Sequence, residues 1–419
     1  MKKIILILTF TSIFIIALFM LGCESAYVKG AKLYIGQSNF EKAREQLNKN
    51  AEMYPNDPVS YYWLGIIDEQ EAKWDNMLED FKKCLSVSNK FQKEIENMKQ
   101  QYFNDFLNQG VTKYNDAVKL FKDRNAIEDS IRKSLPVNTN YNDAAKLFKD
   151  KQFNGEEIKK VLPGITNYND INKLFKDLGS IEDDVKKILN QVIATQEVAL
   201  KIYPTNDKPG EVLSRAFLLL GERDRAREVF EGLLKDNPSH EVSLSMLGTM
   251  YFEDGINKND KESLKRSVEL NEKLVSFRPE SPKALRSLAL SYYQLGDTLK
   301  ALSVFQTAMN KNPNDIDLIL NYGKILYETG KKEEAESYFK KSLEISPDNK
   351  PALRTLARFY VIDLRDFIRG LEVLNKLVQL EPDSPEIWEL IGICQANLQN
   401  KDEAEKAFKK AESLRKTTP

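Results

Sequence analysis

The stretch Pro282–Asn314, PKALRSLALSYYQLGDTLKALSVFQTAMNKNPN, decides the fold. Leu285, Leu288, Ala289 and Tyr292 recur at helical spacing, Gly296 interrupts them, and Ala301, Phe305 and Ala308 resume the spacing before Pro313. The pattern predicts two short amphipathic helices joined by a tight turn. Ala289 and Ala301 are small where the helices must cross, and Leu288, Tyr292 and Phe305 fill the space on either side. Gly296 suits the positive φ that ends a helix, and Pro313 stops the second one. A lone hairpin of this kind leaves one apolar face uncovered, so it needs neighbours.

Working outward, the same pattern returns at steps of about 34 residues. After Pro313 come Gly323, Gly330, Ala335 and Phe339 before Pro347, then Leu356, Ala357, Tyr360 and Leu374 before Pro382, then Trp388, Ile391, Gly392, Ala404, Phe408 and Ala411. Backwards, Pro279 closes a unit with Leu247, Gly248, Tyr251 and Gly255, and Pro238 closes one with Leu213, Gly221, Ala226 and Phe230. Near the start, Tyr27, Ala31, Tyr34, Phe40, Ala43 and Leu47 precede Pro55, and Tyr61, Leu64, Gly65, Trp74, Phe81 and Cys84 follow it. The period and residue types resemble the tetratricopeptide repeat (TPR) family, whose helix–turn–helix units stack into a superhelix. The resemblance implies an all-α TPR solenoid of about eight repeats. The units divide the chain into an N-terminal pair over 23–91 and a C-terminal array of six over 207–419.

Between them, over 92–206, a degenerate repeat gives way to a shorter period. Tyr114–Asp123 recurs as Tyr141–Asp150 and as Tyr168–Asp177, each copy 27 residues after the last. Each is followed by an acidic pair and a segment ending in leucine, as in Glu128, Asp129, Ile131 and Leu135. Thr139 or Asn140, and Thr166 or Asn167, stand where helix N-caps are expected, and Pro136 and Pro163 break the chain. Each copy therefore reads as a short helical hairpin, and the block as an insertion within or after a degenerate third repeat. It rejoins the array through a long helix ending at Pro204. A further irregularity lies between Gly255 and Leu264, where the polar run GINKND is expected to lengthen one loop.

Residues 1–22 read as an address. Lys2 and Lys3 precede an apolar run from Ile4 to Leu21, as in a secretory signal segment, and Met20-Leu21-Gly22-Cys23 resembles a bacterial lipobox. That resemblance implies cleavage before Cys23 and its acylation by a palmitate-type chain. Leu21 departs from the small residue usual two places before the cysteine, and an uncleaved membrane anchor is the alternative. Tyr27 is only four residues beyond Cys23, so the first helix is expected against the bilayer rather than on a flexible linker. Of the three cysteines, Cys84 and Cys394 lie far apart on repeat helices and read as small core residues. The expected location is a bacterial cell envelope, facing the periplasm from the outer membrane if the cell has one.

Chemistry is scarce. His240 is the only histidine, which excludes multi-histidine metal sites, and it lies at a repeat junction. There is no CxxC pair, phosphate-cradling glycine loop or GxSxG elbow. No enzyme activity, metal or cofactor is expected. Basic and acidic residues number 62 and 63 with signs interspersed, a balance that offers nothing to nucleic acid.

Binding is the better expectation. In the TPR family the first helix of each hairpin lines a concave groove. The resemblance then places Phe252, Lys283, Arg286, Tyr293, Lys324, Tyr327, Arg354 and Arg358 towards it. Cations interleaved with aromatics suit an acidic or extended peptide. The implied function is a membrane-anchored interaction scaffold for other envelope proteins. The alternative is a component of a polysaccharide export or pilus/secretin assembly machine, binding glycan or assembly subunits in the same groove.

Overall fold

The computed structural model describes residues 24–135, 139–149 and 168–417, and every regular element among them is helical. Two compact units emerge. One holds the chain up to Val111 together with Ile193–Pro209, and the other holds Thr112–Val192 and Gly210–Pro419.

In the first unit, α1 (Ala26–Gly36) pairs with α2 (Phe40–Met53), and α3 (Pro58–Gln70) with α4 (Trp74–Val87). Ser25, Asn39 and Asp57 cap α1, α2 and α3 by accepting from backbone N–H groups two or three residues on. A short 3₁₀ turn over Asn89–Phe91 leads into α5 (Gln92–Ser134), a single helix of 43 residues. The returning helix, α7 (Tyr168–Ile202), has 35. Where both belong to the first unit they form its third pair: Phe103, Ala199 and Ile202 are buried together, and Gln196 Nε2 donates to the Phe106 carbonyl at 2.9 Å. Gly110 makes this approach possible, since a Cβ there would lie 1.8 Å from Gln196 Nε2. The inserted block therefore opens the turn of the third repeat.

The hairpin reading of the block is corrected here. The first copy lies wholly inside α5 and the third wholly inside α7, with no turn between the motif and its acidic follow-on. The residues that would have to turn, Arg124-Asn125-Ala126, include neither glycine nor proline. Arg124 and Arg132 both hold Glu128 at 3.0 Å in i,i+4 pairs that favour helix. The third copy begins α7 at Tyr168, and the second begins α6 (Tyr141–Lys149), where Asn140 Oδ1 accepts from Asn142 N at 2.8 Å. Pro136, Pro163 and Asn167 lie outside the described residues. In the second unit the block is an arm whose two strands of helix run antiparallel, as Lys113 donating to Gln191 and Arg124 meeting Glu182 at 3.2 Å require.

The rest of the second unit is six helix pairs: α8 (Asp207–Leu219) with α9 (Arg223–Asp236), α10 (Glu241–Asn257) with α11 (Lys261–Phe277), α12 (Pro282–Leu295) with α13 (Thr298–Lys311), α14 (Ile316–Glu328) with α15 (Lys332–Ile345), α16 (Lys350–Arg358) with α17 (Phe367–Leu380), and α18 (Pro385–Asn397) with α19 (Lys401–Thr417). One packing rule recurs in three of them. A small residue on the first helix faces an aromatic 16 residues later on the second, as in Ala289 and Phe305, Gly323 and Phe339, and Gly392 and Phe408. A Cβ on Gly323 would come within 2.8 Å of the Phe339 ring, and one on Gly392 within 2.6 Å of Phe408. Successive pairs then share cores: Phe305, Leu318 and Ile319 belong to one buried cluster spanning α13 and α14.

The expected long loop at GINKND is also corrected. Gly255 lies inside α10 with Leu264 packed on it, and the connection is only Lys258–Asp260, so the extra residues lengthen both helices to 17. A smaller excess, 35 residues from Pro347 to Pro382, is taken up by a π-helical turn over Phe359–Leu364.

All eight hairpin turns use one left-handed residue. Gly221, Gly296 and Gly330 serve in three of them, and Ser38, Ala72, Asn259, Arg365 and Gln399, with φ between 52° and 68°, serve in five. A side chain in this region costs roughly 1 kcal/mol or more. Ala72→Gly is expected to raise the stability of the first unit by about 0.5–1 kcal/mol, read as a higher denaturant midpoint with unchanged slope.

Candidate functional site

The first helices of consecutive pairs are stitched together along one face. Arg286 on α12 pairs with Asp317 on α14, and Tyr293 donates to Glu328. Tyr327 donates to Asp363 in the π turn. Arg354 on α16 pairs with Glu381 and reaches Glu386 at 3.2 Å, while Arg358 holds Glu386 at 2.9 Å on α18. The partners are separated by 27 to 36 residues, about one repeat, so each contact ties a repeat to the next.

Five of the eight residues singled out from the sequence, Arg286, Tyr293, Tyr327, Arg354 and Arg358, are thus brought to one ladder, but not as a set of free cations. Arg286, Arg354 and Arg358 are neutralised by carboxylates that the sequence reading left out, Asp317, Glu381 and Glu386. The signal for them was available: an acid about one repeat downstream of each arginine. Among the described residues Lys283 and Lys324 are exposed and make no ion pair. Phe252, one pair earlier, is half-buried. The phenols of Tyr293 and Tyr327 are pushed up to about 12, the first by burial and then Glu328, the second by its hydrogen bond to Asp363 and then burial. Both remain donors at any physiological pH.

A cleft of about 490 Å³ lies between α9, α10 and α11. Its floor is Leu234, Leu244, Leu247 and Leu270, and Tyr251 donates across it to Glu231 at 2.7 Å. His240 belongs to the fold rather than to either site. It caps α10 through Ser243 N, and its Nε2 stands 3.1 Å from Glu211. Cys84 and Cys394 are buried free thiols, each pushed up to about 11 by burial, which leaves them protonated and unreactive. Among the described residues no group of three or more His, Cys, Asp or Glu side chains is placed to hold a metal. No described helix is long and apolar enough to cross a membrane.

Family models confirm what the helix pairs look like. Residues 292–356 and 361–417 each match a tetratricopeptide repeat model. Both segments are tetratricopeptide repeats. The TPR chain is 22% identical over 208 residues to BBSome complex member BBS4 of Bos taurus and 27% identical over 190 residues to the Drosophila melanogaster homologue. These alignments cover 50% and 45% of this chain and 38% of each relative, so the chain spans well under half the length of those proteins. Among solved structures, a tetratricopeptide repeat protein from Parabacteroides merdae is 19% identical, covers 55% of this chain and 88% of its own, and superposes with a TM-score of 0.42. The TPR array is a protein-interaction scaffold.

Proposed function

We propose that this TPR protein is a lipid-anchored scaffold of a bacterial envelope, tethered through Cys23 and holding partner proteins along the ladder face of α12, α14, α16 and α18. The observation that carries the reading is the ladder itself, a continuous row of polar contacts across four repeats, with Lys283 and Lys324 left unpaired beside it. Because the arginines are already paired, the face is close to charge-balanced. It suits an extended segment recognised by hydrogen bonds and two lysines better than a strongly acidic tail. Support for the anchor is the apolar run before Met20–Cys23, and the start of α1 only three residues after Cys23, at Ala26.

Crosslinking and capture from intact cells tests both halves. Lys283→Glu with Lys324→Glu is expected to deplete the captured partners several-fold without moving Tm, since neither lysine holds the fold. Undiminished capture would assign recognition to another surface. Arg354→Glu is a poorer probe, because it sets a carboxylate against Glu381 and Glu386. In the same cells Cys23→Ala should release the protein from membranes, and retention would indicate an uncleaved anchor.

A further inference from the structure

The cleft between α9, α10 and α11 has no part in the ladder. None of its lining residues is on α12, α14, α16 or α18, and Phe252, which stands 41 residues before Tyr293 and in register with it, does not line it. A volume of about 490 Å³ falls within the range of ordinary ligand sites. A cavity of about 150 Å³ already holds a benzene-sized ring, so there is room for roughly two or three large side chains. The leucine floor offers such groups apolar contact: Leu244, Leu247 and Leu270 are buried, and Leu234 on the α9 side is half-buried.

The rim is cationic on both walls, with Lys235 on α9 and Arg266 and Lys273 on α11. The two acids among them are engaged: Glu231 accepts from Tyr251, and Glu269 pairs with Arg266 at 2.7 Å within its own helix. Lys235 and Lys273 are exposed and make no ion pair among the described residues. The Arg266–Glu269 pair is itself exposed, of a kind worth little in water, so an incoming carboxylate can share the guanidinium. This charge is not a by-product of the repeat. The interface one pair further on is built to the same plan, with Tyr292 donating to Glu272 as Tyr251 does to Glu231. In register with Lys235, Arg266 and Lys273 it has Ser276, Lys300 and Thr307, and Lys300 is paired with Asp297 at 3.0 Å.

We infer that the cleft is a binding site separate from the ladder and that it takes an acidic peptide segment of a partner protein. One or two large apolar side chains of that segment lie over Leu244 and Leu247, with carboxylates on either side of them. Charge complementarity decides the class of ligand. A single-headed amphiphile such as a fatty acid carries one negative group and leaves the cations of one wall unmatched, whereas a peptide presents carboxylates to both walls. Arg266 and Lys273 are seven residues apart on α11, about 10 Å along its axis, which is the reach of about three residues of extended chain. The ladder, whose arginines are already paired, makes no comparable demand for acid. The array thus offers two chemically unlike partners separate surfaces.

The test selects a phage-displayed library of random dodecapeptides on the immobilised full chain in mild detergent. Selected peptides are then synthesised with a fluorescent label and titrated by anisotropy, with oleate titrated in parallel. The expected class has Leu, Phe or Trp between acidic residues about three positions apart. Its Kd should rise about tenfold or more with Lys235→Glu and Lys273→Glu together, should rise with salt, and should be unchanged with Lys283→Glu and Lys324→Glu on the ladder. Leu234→Trp fills the floor without touching the charges and should weaken the same peptides. Circular dichroism checks that the variants keep their helices, and if the tryptophan variant does not, the exposed lysine pair alone decides. The inference is overturned if no selected peptide depends on Lys235 and Lys273, or if oleate and not the peptides shows that dependence. It is also overturned if the dependent peptides carry no large apolar residue, or bind a folded Leu234→Trp chain undiminished.

Discussion

Phe305→Ala is expected to cost about 3–5 kcal/mol, the range for deleting a buried aromatic that its surroundings cannot collapse to replace. Phe305 is fully buried, and its cluster takes in Leu285, Leu288 and Tyr292 of α12, Ala301 and Ala308 of α13, and Leu318 and Ile319 of α14. The ring therefore serves two interfaces at once, the hairpin's own and the one to the next hairpin. In a stacked array, stability is a sum of repeat terms and nearest-neighbour terms, so the loss should appear in both. Thermal unfolding followed by circular dichroism should shift to lower temperature and broaden, as the array separates into segments on either side of α12 and α13. A sharp single transition at an almost unchanged midpoint would mean that the interface relaxes around the cavity.

Asp80→Asn should act in the opposite direction, and only at some pH values. Asp68 is 1% exposed, and Arg44 takes its Oδ1 at 2.6 Å, leaving Oδ2 buried with no hydrogen-bond partner among the described residues. Beside it the Asp80 carboxyl is held up to about 7, chiefly by burial and then by Asp68. The ordinary aspartate value is 3.8, so the folded chain binds a proton that the unfolded chain releases. Stability is fully present below about 4, falls as pH rises through about 7, and is level above it. Asparagine supplies the donor without the charge. The variant should equal wild type near pH 4 and exceed it by about 1–2 kcal/mol near pH 8, a gain discounted for the part of Asp80 that water reaches. Urea titrations across this range measure it, and equal pH dependence in the two chains would show that Asp80 is ionised when folded.

Much of this was legible in the sequence because a repeat reports itself many times. The small-residue and aromatic pairs spaced by 16, the helix-ending prolines and Gly296 each have a physical reason to recur, and the turn at Gly296 has the left-handed φ of 93° that its reading required. What failed was inference from a single local signal. GINKND looks like a loop, yet Leu264 packing on Gly255 extends the helix through it. The acidic pair after Asp123 looks like a new helix start, yet Glu128 is held by Arg124 and Arg132 within one continuous helix. At the ladder, charge could not be read one residue at a time. Arg286, Arg354 and Arg358 are cations in the sequence and halves of ion pairs in the fold.

The left-handed residue in every turn also bears on how the array opens. Where it is glycine, the turn closes without strain. At Ser38, Ala72, Asn259, Arg365 and Gln399 the backbone is held in place by its hydrogen bonds and by the helices on either side. Those turns should be the first to fluctuate open, exchanging their amide protons ahead of the turns at Gly221, Gly296 and Gly330. Both complete hairpins of the first unit are of the strained kind, whereas the second unit has three of each. Amide exchange along the chain would then show a mobile beginning, followed by a longer stretch in which slow and fast turns are interspersed.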